Sequence, residues 1–212
     1  MDSYERVLGC FYGAAIGDAM GAATETMTPQ MILDRYGAYV DQLLAPGDGT
    51  FSAGCPAGFV TDDFSLAYFT ALEILKAPDG PICDTTAQTA LINWSGHPEY
   101  FCFAGPSTSV AIKKILGEPV PQPPVIPACD NSRASNGSAM KIFPAGLKNP
   151  GRPEHAVTDA ITLCKPTHDN AASLSAACAI AAACRFAVRR PRPTQEPEKV
   201  LRKLLLIRRN NS

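Results

Sequence analysis

Neither sign of charge predominates in this chain: 19 lysines and arginines meet 20 aspartates and glutamates, for a formal net charge of −1. Without a field of one sign nothing gathers a polyanion, so nucleic acid is not an expected partner. No apolar run reaches the roughly 20 residues of a membrane span. The start, Met1-Asp2-Ser3-Tyr4-Glu5-Arg6, lacks the pattern of a signal peptide. A cytoplasmic protein without membrane contact is expected. The eight cysteines (10, 55, 83, 102, 129, 164, 178 and 184) never form a Cys-x-x-Cys. Scattered thiols in apolar stretches behave as small hydrophobes, so neither a disulfide framework nor a zinc site is expected. Strand signals are few as well. Long alternating runs of β-branched residues are absent, and an all-α fold is expected.

What is present is an ordinary globular composition, 46% apolar and 18% charged, over 212 residues. That is enough for one domain with a sizeable core. From Tyr4 to Ala23, Val7, Phe11, Ala14, Ala15, Ala19 and Ala22 recur at helical spacing. Gly9, Gly13, Gly17 and Gly21 recur every fourth residue in the same stretch. A glycine inside a helix costs roughly 1 kcal/mol relative to alanine. Such a run predicts a central buried helix with another backbone packed very closely against it. Asp18 falls near the apolar stripe, and a buried acid needs a partner. Either backbone amides or a helix end satisfy it, or it lines a site and supports a metal.

After a loop rich in proline and glycine, a helix is predicted from Thr61 to about Lys76 and another from Asp84 to Trp94. Gly105-Pro106 opens a further one that Gly117 closes. Pro119, Pro121, Pro123, Pro124 and Pro127 make a stiff loop. Pro153 opens a helix that ends before Pro166. Thr167 or Asp169 then caps a long, alanine-rich helix to about Val188, expected to be buried. Glu196 to Arg209 is amphipathic and basic. No internal repeat or domain boundary is evident.

Thr61-Asp62-Asp63 is the most informative local feature. It suits an ordinary helix start, in which the threonine hydroxyl accepts an amide hydrogen bond and the acids meet the positive end of the dipole. Adjacent carboxylates also repel, by about 4 kcal/mol at about 4 Å and an effective dielectric near 20. A hard divalent cation with oxygen ligands relieves that repulsion. Such an ion polarises a sugar oxygen or acidifies a bound water. Glu25 follows the glycine-rich helix. Alone it reads as a solvated loop acid; beside a metal site it is a candidate general base. Ser135-Asn136-Gly137-Ser138-Ala139-Met140 is first of all a turn, set before an apolar segment whose free amides suit an anion such as a diphosphate. Gly105-Pro106-Ser107-Thr108 offers the same chemistry at another helix start. In Thr167-His168-Asp169-Asn170, the histidine ordinarily caps or packs. Cys164 invites a Cys–His nucleophile, which the helix-breaking Pro166 opposes.

Taken in order, these pieces resemble the ADP-ribosylglycohydrolase family, of the dinitrogenase-reductase-activating glycohydrolase type. The matching stretches are Gly13 to Gly21 with Glu25, Thr61 to Ser65, Gly105 to Thr108, Asn136 to Lys141, and Thr167-His168, within a likeness from about Val7 to Val188. The resemblance implies an orthogonal multi-helix bundle with a metal-lined cleft. It implies a hydrolase that cleaves the N- or O-glycosidic bond between ADP-ribose and an acceptor, a protein side chain or a small molecule. By motif match, Thr61, Asp62 and Asp63 bind Mg2+ or Mn2+, and Glu25, Asp62 and Asp63 serve catalysis. Asn136, Gly137, Ser138 and His168 contact ADP-ribose, with Ser107 and Thr108 near its diphosphate. Family members also carry a later Asp-x-Asp-Thr that completes a two-metal site. Here Cys83-Asp84-Thr85-Thr86 and Thr158-Asp159-Ala160-Ile161-Thr162 each hold a single acid and occur too early. A C-terminally truncated member is therefore expected, with 1–212 an incomplete single domain and 189–212 a divergent basic tail. The apolar surface so uncovered favours self-association. The alternative to a hydrolase is a catalytically impaired ADP-ribose-binding remnant or a structural domain.

Overall fold

The computed structural model describes residues 3–76, 79–120 and 131–189. Every regular element among them is helical. In chain order these are α1 (Ser3–Gly21), α2 (Pro29–Tyr36), α3 (Asp62–Leu75), α4 (Asp84–Ser95), α5 (Pro98–Phe101), α6 (Pro106–Ile115), a 3-10 turn (Asn136–Ser138), α7 (Phe143–Lys148), α8 (Pro153–Cys164) and α9 (Ala171–Arg189). The all-α expectation holds. Proline supplies the first turn of α2, α5, α6 and α8, where its missing N–H costs nothing. Gly117, at φ 73°, follows α6 in the left-handed conformation that stops a helix. Among the described residues no helix is long and apolar enough to cross a membrane. The segment 196–209, the divergent tail after Arg189 and most of the proline-rich loop lie outside the described residues.

Two cores hold the helices. One is built largely of alanine: Ala87, Ala145, Ala156, Ala160, Ala177 and Ala181 with Ile74, Ile142 and Leu163. Small side chains bring α7, α8 and α9 close together. At Gly146 a Cβ would run into the Ala181 carbonyl of α9, so α7 crosses α9 with no room for a side chain. The other core is bulkier, with Leu66, Leu91, Trp94 and Ile112 joined by Phe69, Tyr100, Phe101 and Met140. It clamps α3 against α4.

Several sequence expectations change. The helix α1 is not a central buried one. A Cβ added at Gly9, Gly13, Gly17 or Gly21 would meet nothing within 4 Å, and Tyr4 and Tyr12 are 71% and 61% exposed. Its glycines line open space, and among the described residues no neighbouring backbone demands them. The close helix approach lies at Gly146 instead. Over residues 171–184 the helix α9 buries one stripe, Ser173, Ala177 and Ala181, rather than its whole surface. Its cap is Asn170, whose Oδ1 accepts the Ser173 N–H at 3.0 Å; neither Thr167 nor Asp169 takes that place. The helix α2 arises where only a loop was expected. Thr28 Oγ1 caps it by accepting the Met31 N–H, and Gly37 closes it in the left-handed conformation.

Candidate active-site cleft

Helix α1 positions the first functional acid. Asp18 faces the start of α3, and its carboxylate accepts three hydrogen bonds there. They come from the Thr61 N–H at 2.8 Å, the Thr61 hydroxyl at 2.7 Å and the Phe64 N–H at 3.0 Å. The start of α3 is thus capped by a carboxylate borrowed from another helix. Thr61 sits at the N-cap position but makes no side-chain cap of its own; its proton goes to Asp18. This corrects the local capping expectation: Asp18 is satisfied at a neighbouring helix end, and it also lines the cleft above that junction. Behind it, Ser65 Oγ donates to the Thr61 carbonyl at 2.6 Å and accepts from the buried Trp94 indole at 2.9 Å. The tripeptide Thr61-Asp62-Asp63 is therefore held from two sides.

A cleft of about 500 Å³ opens over this junction. Its walls include Gly13, Gly17, Asp18 and Gly21 of α1, Glu25 of the following turn, Thr61, Asp63 and Phe64, and Asn136 and Met140. The glycines of α1 give the cleft its width, because alanines would fill it. Thr26, at φ 65°, turns the chain just after Glu25, and Tyr36 Oη donates to the Ala23 carbonyl at 2.9 Å to pin that turn. A β-branched residue in the left-handed region is strained.

Carboxylates crowd this cleft. Burial, then the charges of Asp63, Asp18 and Glu25, push Asp62 up to about 7. Burial and then Asp18 raise Asp63; burial, then Asp63 and Asp18, raise Glu25. Each is held above the ordinary carboxylate range because charge of one sign is packed together with little water. The donor chemistry fits a hard cation. Asp62 and Asp63 offer carboxylate oxygens, and Thr61 Oγ1, its proton committed to Asp18, keeps its lone pairs for an ion. Among the described residues no three His, Cys, Asp or Glu side chains come close enough to hold one ion by themselves. Of the two single-acid segments, the one around Asp159 is no substitute. Asp159 is buried on another face, bonded to Asn149 Nδ2 at 2.7 Å and 3.5 Å from Lys148 Nζ.

The structure brings Glu25, Thr61, Asp63 and Asn136 to one cleft, with Asp62 beside Asp63. The remaining expected site residues do not line it. Ser138 is buried and donates to the Ser173 carbonyl at 2.8 Å. His168 is buried behind Gly137, with Nε2 2.8 Å from Ser135 Oγ. Burial, then the charge of Lys141, lowers its pKa to about 4, so the ring is neutral. Thr108 is buried and Ser107 half-buried at the start of α6. Cys164 is no nucleophile for His168: burial pushes its thiol up to about 11, and Sγ donates to the Ser138 carbonyl. Sequence reasoning missed Phe64, Met140, Ser135 and Ser173. The first three lay inside motifs already singled out but carried no role. The only trace of Ser173 was its place on a stripe repeating every fourth residue.

The model of the ADP-ribosylglycohydrolase family matches residues 1–210. This chain belongs to the ADP-ribosylglycohydrolase family. The match runs past Val188, where the likeness read from motifs ends. The uncharacterized protein YegU of Escherichia coli (strain K12) is 31% identical over 184 residues, covering 84% of this chain and 52% of that protein. The ADP-ribosyl-(dinitrogen reductase) glycohydrolase of Rhodospirillum rubrum is 27% identical over 175 residues, covering 82% of this chain and 55% of that enzyme. The chain therefore spans about half the length of these two relatives.

Proposed function

We propose that this chain is a metal-dependent hydrolase of the glycosidic bond between ADP-ribose and an acceptor, acting in the cytoplasm. One observation carries the reading: Asp18 ties α1 to the start of α3 and so gathers Asp62, Asp63 and Glu25 around one cleft, against their mutual repulsion. Charge of one sign is concentrated like this where a cation belongs. Thr61, Asp62 and Asp63 would hold Mg2+ or Mn2+. Such an ion supplies polarisation of a ribose oxygen or of a water. Glu25, whose proton affinity is raised by burial and by its acidic neighbours, is suited to take a proton from the attacking water. Asn136 faces the same cleft and would orient the ribose. Gly137, Ser138 and His168 shape the turn that carries it. The placing of Ser107 and Thr108 near the diphosphate rests on motif match alone. Self-association belongs to the same proposal. Its apolar contacts would come from Tyr4, Leu8, Tyr12 and Ile16, all exposed on α1, and a sedimentation mass that stays at the monomer value at every concentration would remove it.

The test is calorimetric titration of ADP-ribose into the purified chain with Mg2+, Mn2+ or a chelator, repeated with Asp62→Ala and Asp63→Ala. Metal-dependent binding that both substitutions abolish supports the reading and calls for an assay of ADP-ribose release from modified protein. Binding indifferent to metal and to both substitutions identifies an ADP-ribose-binding domain without this chemistry. No binding by folded chain overturns the proposal.

A further inference from the structure

The Asn136 turn is held from behind by a chain of polar groups. Lys141 is buried, and its Nζ donates to Thr167 Oγ1 at 2.8 Å. Thr167 Oγ1 lies 2.8 Å from His168 Nδ1 and 3.2 Å from the Cys164 carbonyl. On the other side of the ring, Nε2 lies 2.8 Å from Ser135 Oγ, which accepts the Gly137 N–H at 3.4 Å.

The protons of this chain can be counted. Burial lowers the Lys141 pKa, but charged or neutral the amine keeps N–H groups to donate, and Thr167 Oγ1 accepts one. The Thr167 hydroxyl proton then has two acceptors in reach, the Cys164 carbonyl and Nδ1. Given to Nδ1, it would leave the ring proton on Nε2, donated to a Ser135 Oγ that already accepts from Gly137. The Ser135 proton would then be left to solvent, because Ser135 is exposed and no acceptor among the described residues contacts it. Given to Cys164, it makes Nδ1 the protonated nitrogen, donating to Thr167, while Nε2 accepts the Ser135 proton. Every proton is then taken up within the protein, and Ser135 Oγ keeps a lone pair for the Gly137 N–H.

We infer that His168 is a positioning residue, held as the Nδ1–H tautomer by Thr167 and Lys141, which fixes Ser135 and Gly137 and thereby presents Asn136 to the cleft. The inference rests on the reading of that cleft as an ADP-ribose site. Packing argues the same way. A Cβ at Gly137 would meet His168 Cε1 and Nε2 at 2.7 and 2.8 Å, so the ring lies directly against the turn. Ser173 Oγ donates to the Ser135 carbonyl at 3.3 Å, which ties the turn to α9 as well. Lys141 contributes twice: it fills the acceptor site of Thr167 and, with burial, keeps the ring uncharged.

The experiment uses the whole chain labelled with 15N-histidine. Two-bond nitrogen–proton correlation spectra read the His168 tautomer, hydrogen exchange reads the Gly137 amide, and calorimetry reads ADP-ribose affinity. The wild type is expected to hold Nδ1–H. Thr167→Val is expected to shift the ring toward Nε2–H, to speed Gly137 exchange about tenfold and to weaken ADP-ribose by about the same factor, the worth of one lost hydrogen bond. Thr167→Ser restores all three. Ser135→Ala, which touches neither core, speeds Gly137 exchange in the same way. An Nε2–H ring in the wild type overturns the inference, and so does a Thr167→Val protein with a shifted tautomer and unchanged Gly137 exchange. Failure of ADP-ribose to bind a wild type with the expected tautomer and exchange supports the positioning of the turn while overturning the functional reading.

Discussion

Asp18 takes hydrogen bonds from Thr61 and Phe64, 43 and 46 residues further along the chain. As a carboxylate accepting two backbone N–H groups and a hydroxyl, it does the work of an N-cap from outside the helix it caps. Asp18→Ala leaves both amides without a partner at a part-buried helix start. It is expected to lower unfolding free energy in urea by about 2–3 kcal/mol. Asp18→Asn keeps an acceptor oxygen and should cost less than half as much. Equal losses would mean that charge rather than hydrogen bonding holds the junction. At this scale the sequence was legible in kind but not in partnership. It marked Asp18 as an acid needing a partner, and marked Thr61-Asp62-Asp63 as a helix start. The pairing joins residues that no local pattern connects, so the threonine hydroxyl was given the capping role that Asp18 fills.

Glycines in two helices show how unlike their demands are. At Gly146 in α7 a Cβ would collide with backbone of α9, and a carbonyl cannot swing aside as the end of a long side chain can. Gly146→Ala is expected to destabilise by about 2–3 kcal/mol through the forced separation of α7 and α9. Gly9 in α1 has nothing within 4 Å and does not line the cleft. Gly9→Ala is expected to stabilise by up to about 1 kcal/mol, the difference in helix propensity. Thermal melts of the two variants against wild type should move in opposite directions; a loss at Gly9 would restore the idea of a closely packed partner for α1. Helices marked by periodicity and by proline and glycine at their ends (α3, α4, α6 and α8) were legible to within a residue or two. The short α2, α5 and α7 were not, because so few residues carry little period. A recurring glycine told of a special helix without telling whether a backbone or an open cleft required it.

For the molecule as a whole, the carboxylate crowding makes stability depend on pH. Asp62, Asp63 and Glu25 all have pKa values raised in the folded state. A raised carboxyl pKa means that the folded chain holds the proton more tightly. Its contribution is present below the unfolded value near 4 and is lost as pH rises through the folded value, about 7 for Asp62. His168, lowered to about 4, acts in the opposite sense over much of the same window. The difference between wild type and Asp62→Asn isolates the acid. Without divalent cation, the substitution is expected to become more stabilising as pH rises from about 4 to about 7, by roughly 1–3 kcal/mol. With Mn2+ or Mg2+ near pH 7.5, wild type is expected to be the more stable, because only it keeps both carboxylates for the ion. Melting curves at several pH values, with cation and with chelator, check both signs. A difference that does not vary with pH would show that Asp62 ionises freely in the folded protein. The fold class and the membership of the family were legible from the ordered motifs. The cleft was less so, since its walls come from three stretches far apart in sequence.

The junction of α1 with α3 has one more consequence. The carboxylate that anchors the two helices also sets the floor of the cleft, so foldedness and ligand affinity draw on the same bonds. Variants of Asp18 and Thr61, which make those bonds, should not sort into those that spare the fold and harm function and those that do the reverse. At these two positions resistance to proteolysis and affinity for ligand should rise and fall together, so the pocket is retuned at lower risk from walls that make none of these bonds, such as Asn136.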